Sequence, residues 1–421
     1  MDFPIDLVAD VALPAMVPVR QHFDATRIED VAGEVARLLA EAPMAGLLPG
    51  QSVALGVGSR GMAALPTLVA LTVAELKRRG AAPFIVPAMG SHGGATATGQ
   101  TAILAGLGVS EESAGCPIRS DMDVVELGRL PNGLPVLIDR LAMGADHIAF
   151  INRVKPHTSY SGSHESGLAK MLAIGLANHK GAESCHAQGF GKMAQNVVAM
   201  AKVKLEAAPI LFGLATVENA YDAVRHVEVV AAADMIAREP ALLAMARDNM
   251  PKILFNPLDV LIVERMGKEY SGTGIDPHVT GRAGTPFVKP ALAATKVVVL
   301  DLSLKSGGNA TGLGLADFCT KALFDKIDFR AFYANHLTST VTTGAKIPMI
   351  CADEATALKA AIKTCNAADP ARPRVVRIAN TLHVGEIMVS EALVDEARAR
   401  DDTSLLGVAA GEGGSAPRGG A

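Results

Sequence analysis

Residues 52–94 read "SVALGVGSRGMAALPTLVALTVAELKRRGAAPFIVPAMGSHGG". Two short apolar runs, 52–57 and 82–88, flank a segment, "LPTLVALTVAELKRR", whose apolar residues recur at helical spacing. A strand–helix–strand succession of this length makes a crossover, so the two strands are parallel and the helix covers one face of their sheet. The same alternation continues outward. Strands are expected at 134–139, 147–154 and 208–217, and a second series at 258–264, 295–301, 346–352 and 373–380, with helices such as "ADFCTKALFDKI" in between. Upstream, "RIEDVAGEVARLLAE" places Ile28, Val31, Val35 and Leu38 on one helical face, with Thr26 and Glu29 as a capping box. The expected fold class is α/β: two domains of mainly parallel sheet flanked by helices, with the active site in the cleft between them. The expected domains are 1–254 and 255–405, followed by a glycine-rich tail, 406–421, without apolar periodicity and therefore expected to be disordered.

Composition narrows the function. The 421 residues fit two or three domains at about 150 residues each. With 39 basic and 43 acidic residues there is no basic footprint for nucleic acid. No apolar run reaches the ~20 residues needed to cross a bilayer. The first residues lack the basic start of a signal peptide. The five cysteines are odd in number and none forms a C-x-x-C pair, which favours a reduced, cytoplasmic protein over a disulfide framework. Whether the chain forms an oligomer is left open.

In open α/β sheets, ligands bind outside the carboxyl ends of the strands, so the loops leaving those ends are where chemistry is expected. "GVGSRG" (56–61) is a literal dinucleotide fingerprint after a strand. The acidic residue that should close the next strand is missing, because that end reads "FIVPAMGSHGG". A tight strand–helix turn near a phosphate is the better expectation, with Arg60 offering a bidentate fork to phosphate or carboxylate. His92 follows the strand 82–88 between glycines, and His157 follows the strand 147–154 in the same way. Two imidazoles at strand ends suit acid–base chemistry near neutral pH. The stretch "KPHTSYSGSHESGLAKMLAIGLANHKGAESCH" (155–186) holds four of the eleven histidines and one lysine, Lys170, in an apolar run. A desolvated lysine is paired, neutral or covalently used. His186 could bind a metal or pack. His164 and His179 lie in polar surroundings and read as bystanders. No H-E-x-x-H occurs. These residues alone leave three functions open: an enzyme using two opposed histidine bases, a divalent-metal hydrolase or lyase with His92, His157 and His186 as ligands, and a non-catalytic binding protein for a sugar acid or nucleotide.

Taken together, "GSRG", "GSHGG", "KPHTSYSG…SGLAK…CH" and "GTGIDPHVTGR" resemble the lactate racemase family, whose members use a nickel-pincer nucleotide (nickel pyridinium bisthiocarboxylic acid mononucleotide). The resemblance implies that Lys170 tethers the cofactor through a thioamide, that His186 ligates nickel, and that His92 and His157 are the catalytic acid/bases. It also implies that Arg60 contacts cofactor and substrate, with Gly58, Ser59 and Gly162 along the cofactor. The implied partners are a small hydroxy-acid substrate and the proteins that make the cofactor. The chain departs from the family where substrate would sit. The Asp-x-Thr-Arg at the first strand end is Val57-Gly58-Ser59-Arg60, and His92 is followed by Gly-Gly where the lactate enzymes have Arg-Pro. The segment before Lys170 is longer around "SHES". The aromatic-Gln-x-x-Lys clamp is replaced by Asp276-Pro277-His278-Val279-Thr280-Gly281-Arg282. Arg282 and Thr280 are therefore expected to bind the substrate, read as a 2-hydroxy acid larger or more polar than lactate. The glycine-rich loop 305–318, with Asn309 and Asp317, is a second candidate for that side of the site.

Overall fold

The computed structural model describes residues 3–42 and 44–407; most of the expected tail, from 408 on, lies outside them. The chain forms two compact units. One is Asp24–Met250 with Thr285–Lys289; the other is made of the residues up to Phe23, Pro251–Gly284 and those from Pro290 on. This differs from a division at 254/255. The strand Met16–Gln21 pairs antiparallel with Glu386–Ser390 and with Thr403–Leu405, so the first residues of the chain belong with its last. The Gln21 amide is fully buried, donating to the Val384 carbonyl at 2.6 Å and accepting from the Leu254 amide at 2.7 Å.

The unit of residues 24–250 holds a five-stranded sheet in the order Ala82–Pro87, Ser52–Val57, His147–Arg153, Ile210–Glu218, Val224–Ala231. The first four strands are parallel and the last is antiparallel. Near-continuous apolar runs make sense here, because parallel strands are covered on both faces. Helices Val31–Glu41 and Leu65–Arg78 pack together on one side of this sheet, over Val53, Leu55, Ile85 and Ile151. Helices Leu168–Ala173 and Phe190–Ala207 pack against each other, and Leu168 lies close over Gly213 of the sheet. From Ser52–Val57 the chain crosses to Ala82–Pro87 on one side, while His147–Arg153 lies on the other. The ends of these strands are the point where strand order reverses, the place where such sheets bind ligands.

The second unit carries an eight-stranded sheet: Met349–Cys351, Phe318–Thr320, Ala294–Leu302, Leu258–Met266, Val375–Ile378, Glu386–Ser390, Met16–Gln21, Thr403–Leu405. Its first five strands are parallel. The α/β class and the mainly parallel sheets are as expected.

Three local expectations are corrected. Asp30, not Thr26, caps the first long helix, accepting the Gly33 amide at 2.8 Å. Pro135–Asp139 lies outside the parallel sheet, in an antiparallel hairpin with Val124–Arg129. "ADFCTKALFDKI" opens as a strand, Phe318–Thr320, because these residues are buried beside Val298 and Val299; helix starts only at Lys321, where Thr320 caps the Leu323 amide at 3.1 Å. Among the described residues no helix is long and apolar enough to cross a membrane.

Candidate functional site

The turn after Ser52–Val57 does not build a dinucleotide site. Helix begins only at Leu65, beyond a left-handed Ala64. The Ala63 amide donates to Glu218 at 2.7 Å, and Glu218 pairs with Arg153. A carboxylate of the chain itself thus occupies the place where a phosphate was expected. Arg60 is left without hydrogen bond or ion pair. Although exposed, its guanidinium has a lowered pKa because surrounding protein desolvates it and Arg153 repels it. Ser59 Oγ forms a short hydrogen bond with His92 Nδ1. His92 sits at a sharp turn completed by Gly93 (φ +69°) and Gly94 (φ +64°). A Cβ at Gly93 would fall 2.6 Å from the Gln100 amide nitrogen, so this turn demands glycine. A Cβ at Gly94 would meet nothing within 4 Å, so there is open space beside His92.

Lys170 lies on the helix Leu168–Ala173. Its amine keeps some surface open to solvent but makes no hydrogen bond or ion pair. Desolvation, then the charges of Arg60 and Lys155, bring its pKa down to about 8, with Cys185 opposing. His186 ends the helix Asn178–His186. Its Nδ1 lies 2.7 Å from the Ala182 carbonyl, one turn back, and therefore carries a proton that it donates. Nε2 is left with its lone pair, the tautomer a metal-binding imidazole needs. Burial, with a smaller push from Lys170, lowers the imidazole pKa and keeps the ring neutral. Electrostatically, then, Arg60, Lys155, Lys170 and His186 form one neighbourhood.

His157 leaves the adjacent strand end. Its backbone amide donates to Glu165 at 2.7 Å, and Ser159 N–H donates to its Nδ1 at 3.0 Å. In this geometry the neutral ring carries its proton on Nε2 and presents an N–H. Glu165 is buried and organises the whole loop, accepting from Gly162 N at 2.9 Å and from Arg247 at 2.5 Å. Tyr160 lies against His157 with ring centroids 4.4 Å apart. Phe190 sits between the two imidazoles, 6.2 Å from His157 and 5.6 Å from His186.

Several expected site residues have other work. The Gly162 amide is held by Glu165 and its carbonyl by Arg247, so both its polar groups serve the loop. Gly58 lies under Met171, whose Cε would stand 3.2 Å from a Cβ there. In the other unit, Thr280 is fully buried and bonds the Asp276 carbonyl at 3.0 Å. Arg282 donates to the Ala294 and Thr295 carbonyls and pairs with Asp317 at 2.9 Å. Both are engaged by their own fold. Asp317 is also held by the Val297 amide, and Asn309 by Thr311 and Asn335. His164 is buried between Ser163 and the Ile236 carbonyl, and His179 faces Glu183 along its helix at 3.7 Å.

Sequence reading missed Glu165, Phe190, Lys204 and Glu239. Glu239 and Lys204 are fully buried beside the helix of Lys170. Desolvation raises the Glu239 pKa to about 7 and lowers that of Lys204 to about 7. The two shifts act on stability in opposite windows. Between 4.5 and about 7 the folded chain holds the extra Glu239 proton, so stability falls as pH rises. Between about 7 and 10.5 the unfolded chain holds the extra Lys204 proton, so stability rises with pH. Urea denaturation across pH 5–10 should therefore show a trough near neutrality, and Lys204→Met should flatten its alkaline limb.

Among the described residues no group of three or more His, Cys, Asp or Glu is placed to hold a metal ion. His92, His157 and His186 do not form a ligand set by themselves, contrary to the hydrolase alternative. The arrangement is instead that of an α/β protein in which Arg60, His92 and His157 follow strands of the parallel sheet, while Lys170 and His186 lie on helices. The family model of the lactate racemase N-terminal domain matches residues 60–197, about a third of the chain. Among solved structures, a Thermotoga maritima protein from a structural genomics consortium is similar at 16% identity, covering 65% of this chain and 70% of that one, with a TM-score of 0.46. The lactate racemase apoprotein from Thermoanaerobacterium thermosaccharolyticum is similar at 15% identity over 59% of this chain and 66% of that one, with a TM-score of 0.43. No curated protein matches the chain.

Proposed function

We propose that the chain is a nickel-pincer nucleotide-dependent racemase or epimerase of a 2-hydroxy acid larger or more polar than lactate, such as a sugar acid or hydroxy-dicarboxylate. One observation carries the reading: an unpaired lysine with its amine lowered to about 8 acts electrostatically on an imidazole whose Nδ1 is held by the Ala182 carbonyl, leaving Nε2 free. The pair fits the cofactor. A partly neutral amine can enter a thioamide link, and a neutral Nε2 can ligate nickel. When bound, the group supplies a hydride acceptor for the carbinol carbon of the substrate.

The remaining work falls to the chain. Arg60, the unpaired cation, would grip the substrate carboxylate with its planar fork. His92 would take the hydroxyl proton on Nε2 when Nδ1–H is donated to Ser59. His157 would hold the substrate oxygen through Nε2–H, and would accept a proton only by giving up the Ser159 amide. The chain's partners would be the proteins that make and load the cofactor.

The test is production of the full chain together with cofactor-synthesis enzymes, followed by intact mass, nickel analysis and a screen of hydroxy acids for stereochemical scrambling. A mass adduct with stoichiometric nickel is expected. An unmodified, nickel-free chain under those conditions overturns the reading. His186→Ala should keep the mass adduct and lose most of the nickel, since it removes a metal ligand and leaves the amine untouched.

A further inference from the structure

The helix bearing Lys170, Leu168–Ala173, is six residues long, far too short to persist on its own. No side chain of its own caps its start. Both of its ends are instead held by buried ionisable residues from two other helices. At the amino end, Glu239, on Met235–Asp248, accepts the Ala169 amide at 2.7 Å. Gly167 makes room for it, since a Cβ there would lie 2.2 Å from the carboxylate. At the carboxyl end, Lys204, on Phe190–Ala207, donates to the Leu172 carbonyl at 2.5 Å. Both side chains are fully buried, and they do not pair with each other. An acid at the amide end and an amine at the carbonyl end match the polarity of a helix. Burying two ionisable groups is costly, and a neutral cap such as Ser or Asn would satisfy an amide for less. The two anchored residues, Ala169 and Leu172, bracket Lys170.

We infer that Glu239 and Lys204 are positioning residues for Lys170, clamping its helix at both ends so that the amine stays within the protein wall instead of turning into water. This rests on the reading of Lys170 as the reactive amine. The groups facing that amine are Arg60, Lys155, Cys185 and His186. With the helix held, they and the surrounding apolar side chains act on the amine at fixed range; with either clamp released, solvent reaches it and the influence of the wall fades.

The experiment uses the full chain without cofactor. Acetic anhydride is applied in brief pulses from pH 6 to 11, and acetylation of Lys170 is read by peptide mass spectrometry, with exposed Lys202 as the reference within the same molecule. Lys204→Met and Glu239→Leu should each move the Lys170 midpoint upward by about one pH unit, toward an ordinary lysine. The Lys202 midpoint should stay in place. Glu239→Gln keeps an acceptor oxygen for the Ala169 amide and should restore the wild-type midpoint. An unmoved Lys170 midpoint in a variant with wild-type circular dichroism overturns the inference. If Glu239→Leu does not fold, the contrast of Lys204→Met, shifted, with Glu239→Gln, unshifted, decides it; equal midpoints in those two overturn it. Because no cofactor is involved, failure here and failure to form the nickel adduct are separate results.

Discussion

Replacing Lys170 with alanine is expected to abolish the mass adduct and reduce racemisation to background. The cause is the loss of an amine that acts electrostatically with Arg60 and His186 and makes no hydrogen bond or ion pair of its own. Lys170→Arg should be equally inactive, because a guanidinium stays charged and cannot acylate. The lowered pKa adds a second expectation. At pH 8 a lysine with a pKa of about 8 is half neutral, whereas an ordinary lysine is neutral in only about one molecule in 300. If attachment needs the free amine, loading should fall about tenfold for each pH unit below 8. Intact mass after loading at a series of pH values measures this directly. Loading that is flat from pH 6 to 9 would separate attachment from the ionisation of Lys170.

The second large effect concerns the two histidines, which the structure makes unequal. His92→Ala should slow interconversion by about 10²–10⁴-fold, the usual worth of a positioned acid–base. Rates from the two stereoisomers should fall together, since no variant can change the equilibrium constant between them. His157→Ala should fall comparably, but His157→Gln should recover part of the loss. Glutamine restores an N–H donor where the Ser159 amide holds the imidazole as its Nε2–H form. His92→Gln should recover nothing, because the role assigned to His92 is to take a proton. Polarimetry on each pure enantiomer gives the four rates. Equal activity of His157→Gln and His157→Ala would remove the donor role.

The parallel sheets were legible because their strands are buried on both faces and so read as unbroken apolar runs, as at Ser52–Val57 and Leu258–Met266. Strands of three residues, such as Phe318–Thr320, carry too little pattern to outweigh the helical spacing that follows them. Lys170 stood out in sequence because a charged residue interrupts an apolar run. His92, His157 and Arg60 stood out because they follow strands next to glycine. Glu239 and Lys204 had no such mark. Each sits on a long helix with other charged residues, and only the packing of three helices reveals that its side chain turns inward. Arg282 was marked by its chemistry alone, and the carbonyl and carboxylate that engage it, Thr295 and Asp317, lie far from it in sequence.

The placement of Met16–Gln21 has a consequence for biosynthesis. This strand leaves the ribosome well before both of its partners, Glu386–Ser390 and Thr403–Leu405. The eight-stranded sheet therefore cannot close until Thr403–Leu405 has been made. Most of the unit that carries Lys170 and the histidines is emitted as one continuous segment, Asp24–Met250, and can fold while the rest is still being made. During that interval the early strand is an unpaired edge, and the short length of Met16–Gln21, with Pro18 and Arg20 in it, limits what else can pair with it.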